Sequence, residues 1–168
     1  MLDFFLIFFS IFLAGFSAKA ADTLEKSKKL EKFSYLFSFV YGLILGILSS
    51  FSCLSNLFIS LALANAVAYK LDSKPHLFGF LVFLIPILIF DLNCLDLWLF
   101  GLFFCFGFLD EFFENKKIKI LNYRLLLPAV SLFILLYKKE PIYFFAILIF
   151  DIGYNLFIFL KQKFKYKL

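Results

Sequence analysis

Residues 34–69, SYLFSFVYGLILGILSSFSCLSNLFISLALANAVAY, run for 36 positions without a charged side chain. As one helix this stretch would be about 54 Å long, against a bilayer hydrocarbon core of ~30 Å. A single span is therefore excluded. The turn-forming run Ser49-Ser50-Phe51-Ser52-Cys53-Leu54-Ser55-Asn56 places a tight hairpin in its middle. The runs on either side are continuously apolar rather than alternating, and an open sheet edge cannot face lipid, so the two arms are helices.

Working outward, the same pattern recurs along the chain. Seven apolar segments are expected, at Leu2–Ser17, Ser34–Ser49, Leu54–Tyr69, Leu77–Phe90, Leu97–Phe113, Leu121–Tyr137 and Ile142–Leu160. Several fall short of the ~20 residues that cross a bilayer. No linker divides them, so residues 1–168 read as one all-α domain, a polytopic transmembrane helix bundle. Composition agrees: 64% of residues are hydrophobic, 29 are Phe, and the mean hydropathy is +0.97. A soluble domain is only about 45–50% apolar.

Charge orients the bundle. Fifteen of the 17 basic residues lie in the polar regions that follow the first, third, fifth and seventh segments; the intervening regions hold only Lys138 and Lys139. Basic residues collect on the cytoplasmic side of membrane proteins. The expected topology is seven spans, with the N-terminus outside and the C-terminus in the cytoplasm of a cell membrane. Ala18-Lys19-Ala20 resembles a signal-peptide cleavage site, but Met1-Leu2-Asp3 lacks the positive region that would precede one. The net charge of +5 belongs to these loops. No basic run interleaved with aromatics lies outside the apolar segments, which argues against a nucleic-acid partner.

Small residues mark close helix contacts. Gly42 and Gly46 form a GxxxG, and Ser60, Ala64 and Ala68 form a second small-residue stripe. Because a short hairpin joins these helices, they are expected to pack on one another. Cys53, Cys94 and Cys105 show no metal-ligand spacing, and with His76 as the sole histidine a standard zinc site is not expected. A Cys53–Cys94 disulfide across the outer loops is the weaker of two readings there.

Polar residues in apolar surroundings are costly, so they nominate a site. Asp151 sits near the middle of the seventh segment, where an ionised carboxylate costs roughly 2.5–3.5 kcal/mol. Tyr154 and Asn155 follow at helical spacing on its face. Asp151 is therefore the expected catalytic or proton-carrying group, with Tyr154 and Asn155 contacting substrate. Asp110 and Glu114, one helical turn apart, together with Asp72, are expected to hold Mg²⁺ through hard carboxylate oxygens, and Asp110 also counts as a catalytic candidate. Lys70, Lys74 and Arg124 would hold phosphate, beside Asn65. His76 would move protons near neutral pH. For each there is a plainer structural reading: a helix end paired with nearby lysines, a basic loop, or a polar contact between helices.

The topology gathers most of these groups at the cytoplasmic face. Three functional readings follow: an enzyme acting on a lipid or isoprenoid phosphate head group, a non-catalytic scaffold or complex subunit, and a small proton- or ion-coupled transporter using Asp151. Membrane lipids and a lipid-linked or phosphate-containing substrate are the expected partners, and oligomerisation is compatible with the sequence. The enzyme reading needs carboxylates and cations converging at one face. The transporter reading wants polar groups on both sides of Asp151, where the outer halves of the segments are nearly all apolar.

Overall fold

Along α2 (Glu31–Phe51) the residues Ser34, Ser38, Gly42, Gly46 and Ser50 recur every fourth position and are all buried. Large apolar side chains of the same helix, among them Phe33, Leu36, Phe39 and Phe51, are exposed. Small residues line the seam and large ones face out, the reverse of a helix that buries its apolar face away from water. The exposed apolar surface continues on other helices through Phe5, Phe9, Leu88 and Phe159.

The computed structural model describes residues 2–26, 30–71, 73–90, 92, 95–113 and 125–165, with side chains between residues 4 and 163. The expectations for Asp72, Cys94, Glu114 and Arg124 lie outside the described residues. Among those described are seven helices and no strand: α1 (Leu2–Glu25), α2, α3 (Ser55–Val67), α4 (Lys74–Ile89), α5 (Leu97–Phe113), α6 (Leu126–Lys138) and α7 (Ile142–Lys165). Three of them contain stretches long and apolar enough to cross a membrane: Phe4–Glu25, Glu31–Phe51 and Ile142–Lys163. The hairpin between α2 and α3 occupies Ser52 to Leu54, inside the expected turn. The first helix runs on to Glu25, beyond the Ser17 end expected from hydropathy.

Partner choice differs from expectation. α2 docks chiefly on α4, and α3 chiefly on α5. A Cβ on Gly42 would overlap the carbonyl oxygen of Gly79, and one on Gly46 would strike the Phe83 carbonyl and the Pro86 ring. The α2 GxxxG is thus a trough for the α4 backbone. Pro86 sits inside α4 with its ring against that trough. α1 and α7 approach as closely: a Cβ on Gly15 would overlap the Phe150 carbonyl oxygen, and one on Gly153 that of Phe12. Gly107 of α5 similarly receives Leu61 of α3. Glycine permits this backbone approach, and with it close van der Waals packing between helices.

Successive helices alternate in direction. At one end the C-terminal turns of α1, α3, α5 and α7 meet the N-terminal turns of α2, α4 and α6. The Ser34 hydroxyl donates to the Ala21 carbonyl, and the Lys19 ammonium to Tyr154. Here the N-terminus of α6 is completed by another helix. Its own N-cap, Leu125, has no side-chain acceptor, so the carboxylate of buried Asp110 on α5 takes the N–H groups of Leu126 and Leu127 at 3.1 and 2.7 Å. Pro128 has no N–H, and Ala129 N–H bonds the Leu125 carbonyl. These donors of the first turn are therefore all accounted for.

The opposite end holds a small polar knot. Buried Asn56 accepts from the Asp96 N–H at 2.8 Å, and its amide nitrogen lies 3.4 Å from the Tyr143 hydroxyl. Tyr143 in turn donates to the Cys53 carbonyl, tying α3, α5 and α7 together.

Candidate functional site

The extension of α1 past Ser17 is what builds the site. Lys19, Asp22 and Lys26 recur at i, i+3 and i+7 on one helical stripe, with Glu25 beside them. Asp22 binds both lysines, Lys19 Nζ at 2.6 Å and Lys26 Nζ at 2.8 Å. Lys19 also donates to the Tyr154 hydroxyl at 2.9 Å and lies 4.6 Å from that ring's centroid, within cation–π range. α7 is thereby joined to α1 just beyond their glycine contact.

On the other side of the stripe, Glu25 faces α4. Its Oε2 accepts from Ser73 Oγ at 2.6 Å and lies 3.8 Å from His76 Nε2. The Ser73 hydroxyl oxygen, at the N-cap of α4, also lies 3.4 Å from the His76 N–H. The second imidazole nitrogen, Nδ1, is 3.1 Å from the Tyr41 hydroxyl of α2. One ligand atom each from Asp22, Glu25 and His76 can be drawn so that all three lie within 4.8 Å of one another.

Beside this cluster, α1 and α7 leave an open groove of about 360 Å³, lined by Lys19, Asp22, Thr23, Lys26, Ile158, Lys161 and Gln162. Asp22 is the seam between groove and cluster. Compared with known proteins, the chain matches no family model, no curated protein and no solved structure. The functional reading therefore rests on this geometry and its chemistry.

The expected site residues separate into two groups. His76 and Tyr154 enter the cluster. Lys70 lies at the same end, 3.8 Å from the carboxylate of Glu111, which is itself nearly buried beside Asp110. Asp110 caps α6, so its two oxygens already serve backbone donors. Lys74 is exposed in the first turn of α4. Asn65 donates to the Leu61 carbonyl one turn back in its own helix. The carboxylate expected to form a cavity floor, Asp151, is instead exposed on α7, with the amide of exposed Asn155 bonded to its carbonyl oxygen at 2.9 Å.

The sequence reading does not single out Lys19, Tyr41, Ser73 or Lys161 as site groups. The i, i+3, i+7 spacing of Lys19, Asp22 and Lys26 was the signal available. A polar tail that keeps helical period after an apolar helix is a continuation of that helix.

Proposed function

We propose that the chain is a seven-span membrane protein with its N-terminus outside, and that its cytoplasmic end binds the phosphate head group of a lipid or isoprenoid as substrate. The observation that carries this reading is the groove between α1 and α7, where Lys19, Lys26 and Lys161 stand beside the Asp22–Glu25–His76 cluster. Ammonium groups near the ends of two long apolar helices, α1 and α7, suit a ligand with an anionic head and a hydrocarbon tail. The phosphate-holding role passes from Lys70 and Lys74 to these three lysines. Carboxylates and an imidazole within reach of a bound phosphate are the groups that acid–base or metal-assisted phosphate chemistry uses.

The span count is supported by the alternation of helix direction together with the charge asymmetry. Lys19, Lys26, Lys32, Lys70, Lys74, Lys161 and Lys163 fall at the end assigned to the cytoplasm, and Lys138 and Lys139 at the other. The shorter helices α3 and α6, each of 13 residues, cross a locally thinned bilayer.

Binding of geranyl phosphate to the detergent-purified protein tests the reading, with titration calorimetry as readout. Saturable binding is expected, weakened at least about tenfold in Lys19→Ala and Lys161→Ala, since a hydrogen bond to a charged group contributes roughly 1.5–3 kcal/mol. Asp96→Asn, at the far end, should bind as the native chain does. Heat-silent titration, confirmed by absence of retained radiolabelled ligand, sinks the proposal. A subunit or scaffold role is the second reading. It draws on the exposed Asp151 and Asn155 of α7, a polar pair on an otherwise apolar surface that a neighbouring helix could cover.

A further inference from the structure

We propose that Asp22, Glu25 and His76 form a divalent-cation site between α1 and α4, suited to a first-row transition ion such as Mn²⁺ or Zn²⁺. The donor set is mixed, one imidazole nitrogen and two carboxylates from two different helices, with ligand atoms within 4.8 Å of one another. The decisive spacing is the 3.8 Å between His76 Nε2 and Glu25 Oε2. It is too long for a hydrogen bond. Two ligand atoms each about 2.0–2.2 Å from a shared ion stand roughly 3–4 Å apart, so it fits a bridging cation.

The supporting contacts have the form that metal ligands take. Tyr41 lies at Nδ1, the nitrogen of His76 turned away from Glu25. When the Tyr41 hydroxyl accepts from Nδ1–H, the Nε2 lone pair faces the carboxylate, which is the tautomer a metal-bound imidazole takes. Ser73 donates to Glu25 and Lys19 to Asp22, so each proposed ligand is oriented from behind by a polar group on the protein.

Asp22 already holds two ammonium groups, but a carboxylate offers about four lone-pair sites, and Lys26 is mostly exposed. Lys26 is the group a cation would displace, and it would then turn into the groove. The imidazole favours Mn²⁺ or Zn²⁺ over Ca²⁺, whose sites are built from oxygen. Three protein ligands leave positions for water or for a phosphate oxygen. Only this last sharing rests on the head-group reading; the cation site itself stands on the α1–α4 geometry.

The test is Mn²⁺ titration of the full-length, chelator-stripped protein in detergent, with free ion read by electron paramagnetic resonance and no phosphate present. One saturable equivalent per chain is expected. Glu25→Gln and His76→Gln should each weaken it at least about tenfold, and Tyr41→Phe, which leaves all three ligands in place, by about tenfold. Asp96→Asn should leave it unchanged. No saturable binding by the native chain overturns the site whatever the variants do. So does an affinity that survives both Glu25→Gln and His76→Gln. Mn²⁺ binding alongside failed geranyl phosphate binding upholds the cation site and overturns the head-group reading; the converse result upholds the head-group reading and overturns the cation site.

Discussion

Replacing Asp110 by asparagine should loosen the junction of α5 and α6 by about 2–4 kcal/mol. The carboxylate is buried and accepts two backbone N–H groups, from Leu126 at 3.1 Å and Leu127 at 2.7 Å. Hydrogen bonds to a charged acceptor contribute about 1.5–3 kcal/mol each, and a neutral one about 1 kcal/mol. Asparagine keeps one oxygen, so one bond falls to neutral strength. Its NH₂ group meets the other N–H, turning an attraction into two facing donors. No residue of α6 itself replaces the lost acceptor, because Leu125 lacks one. The assay is reversible unfolding of the detergent-solubilised chain by dodecyl sulfate, followed by far-ultraviolet circular dichroism, with geranyl phosphate and Mn²⁺ affinities measured in parallel. The account expects lowered stability with both affinities kept under folding conditions. Native stability with lost Mn²⁺ or ligand binding would refute it and return Asp110 to the metal-binding or catalytic role that the sequence suggests.

Four further outcomes follow from the packing and the caps. Gly15→Ala and Gly153→Ala each drive a Cβ into a facing backbone carbonyl and should cost about 1–3 kcal/mol in the same unfolding assay. Gly101→Ala, whose Cβ would meet nothing within 4 Å, should instead be neutral or gain up to ~1 kcal/mol of helix propensity. Tyr69 ends α3 at a φ of 57°, a left-handed conformation that costs a non-glycine residue about 1 kcal/mol, so Tyr69→Gly should raise the unfolding midpoint. Asp96 gives a pH signature. Desolvation pushes its carboxyl up, but the N–H groups of Trp98 and Leu99 and the Lys138 ammonium outweigh it and hold the pKa below the ordinary carboxylate value. Its stabilisation is therefore complete above the unfolded pKa of about 3.9 and fades as the pH falls through the lower folded value. Asp96→Ala should be less stable than the native chain at neutral pH, with the gap closing in acid.

The helices were legible in the sequence because apolar runs and turn-formers are local signals. The fifth segment, Leu97–Phe113, has the same bounds in sequence and structure, and the hairpin at Ser52 to Leu54 falls where serines and asparagine crowd together. Pairing was less legible. Gly42 and Gly46 announced a close contact but not its partner, which is the Gly79 turn of α4 rather than the sequence-adjacent α3. The every-fourth repeat of Ser34, Ser38, Gly42, Gly46 and Ser50 shows how far that seam extends, and its serines hide it from a search for glycine alone.

The site was the least legible part, for a physical reason. Hydropathy falls at Lys19, so hydropathy alone ends the helix near Ser17 and leaves the groups that converge on α4 and α7 in a polar connection. Helical hydrogen bonding does not depend on hydropathy, and Lys19, Asp22 and Lys26 keep the helical period. Asp151 drew attention through the cost of burying a charge, yet it is exposed on α7. Tyr154, three residues on, is the α7 group that α1 engages, through Lys19.

The central claim, that all seven helices cross a bilayer with the cluster on the cytoplasmic side, is tested most directly by paired reporter fusions in intact cells. One reporter follows Leu168 and the other is inserted between Leu92 and Leu95. The account predicts a cytoplasmic signal from the first and an external signal from the second. Both reporters on one side, or the two sides exchanged, would contradict it.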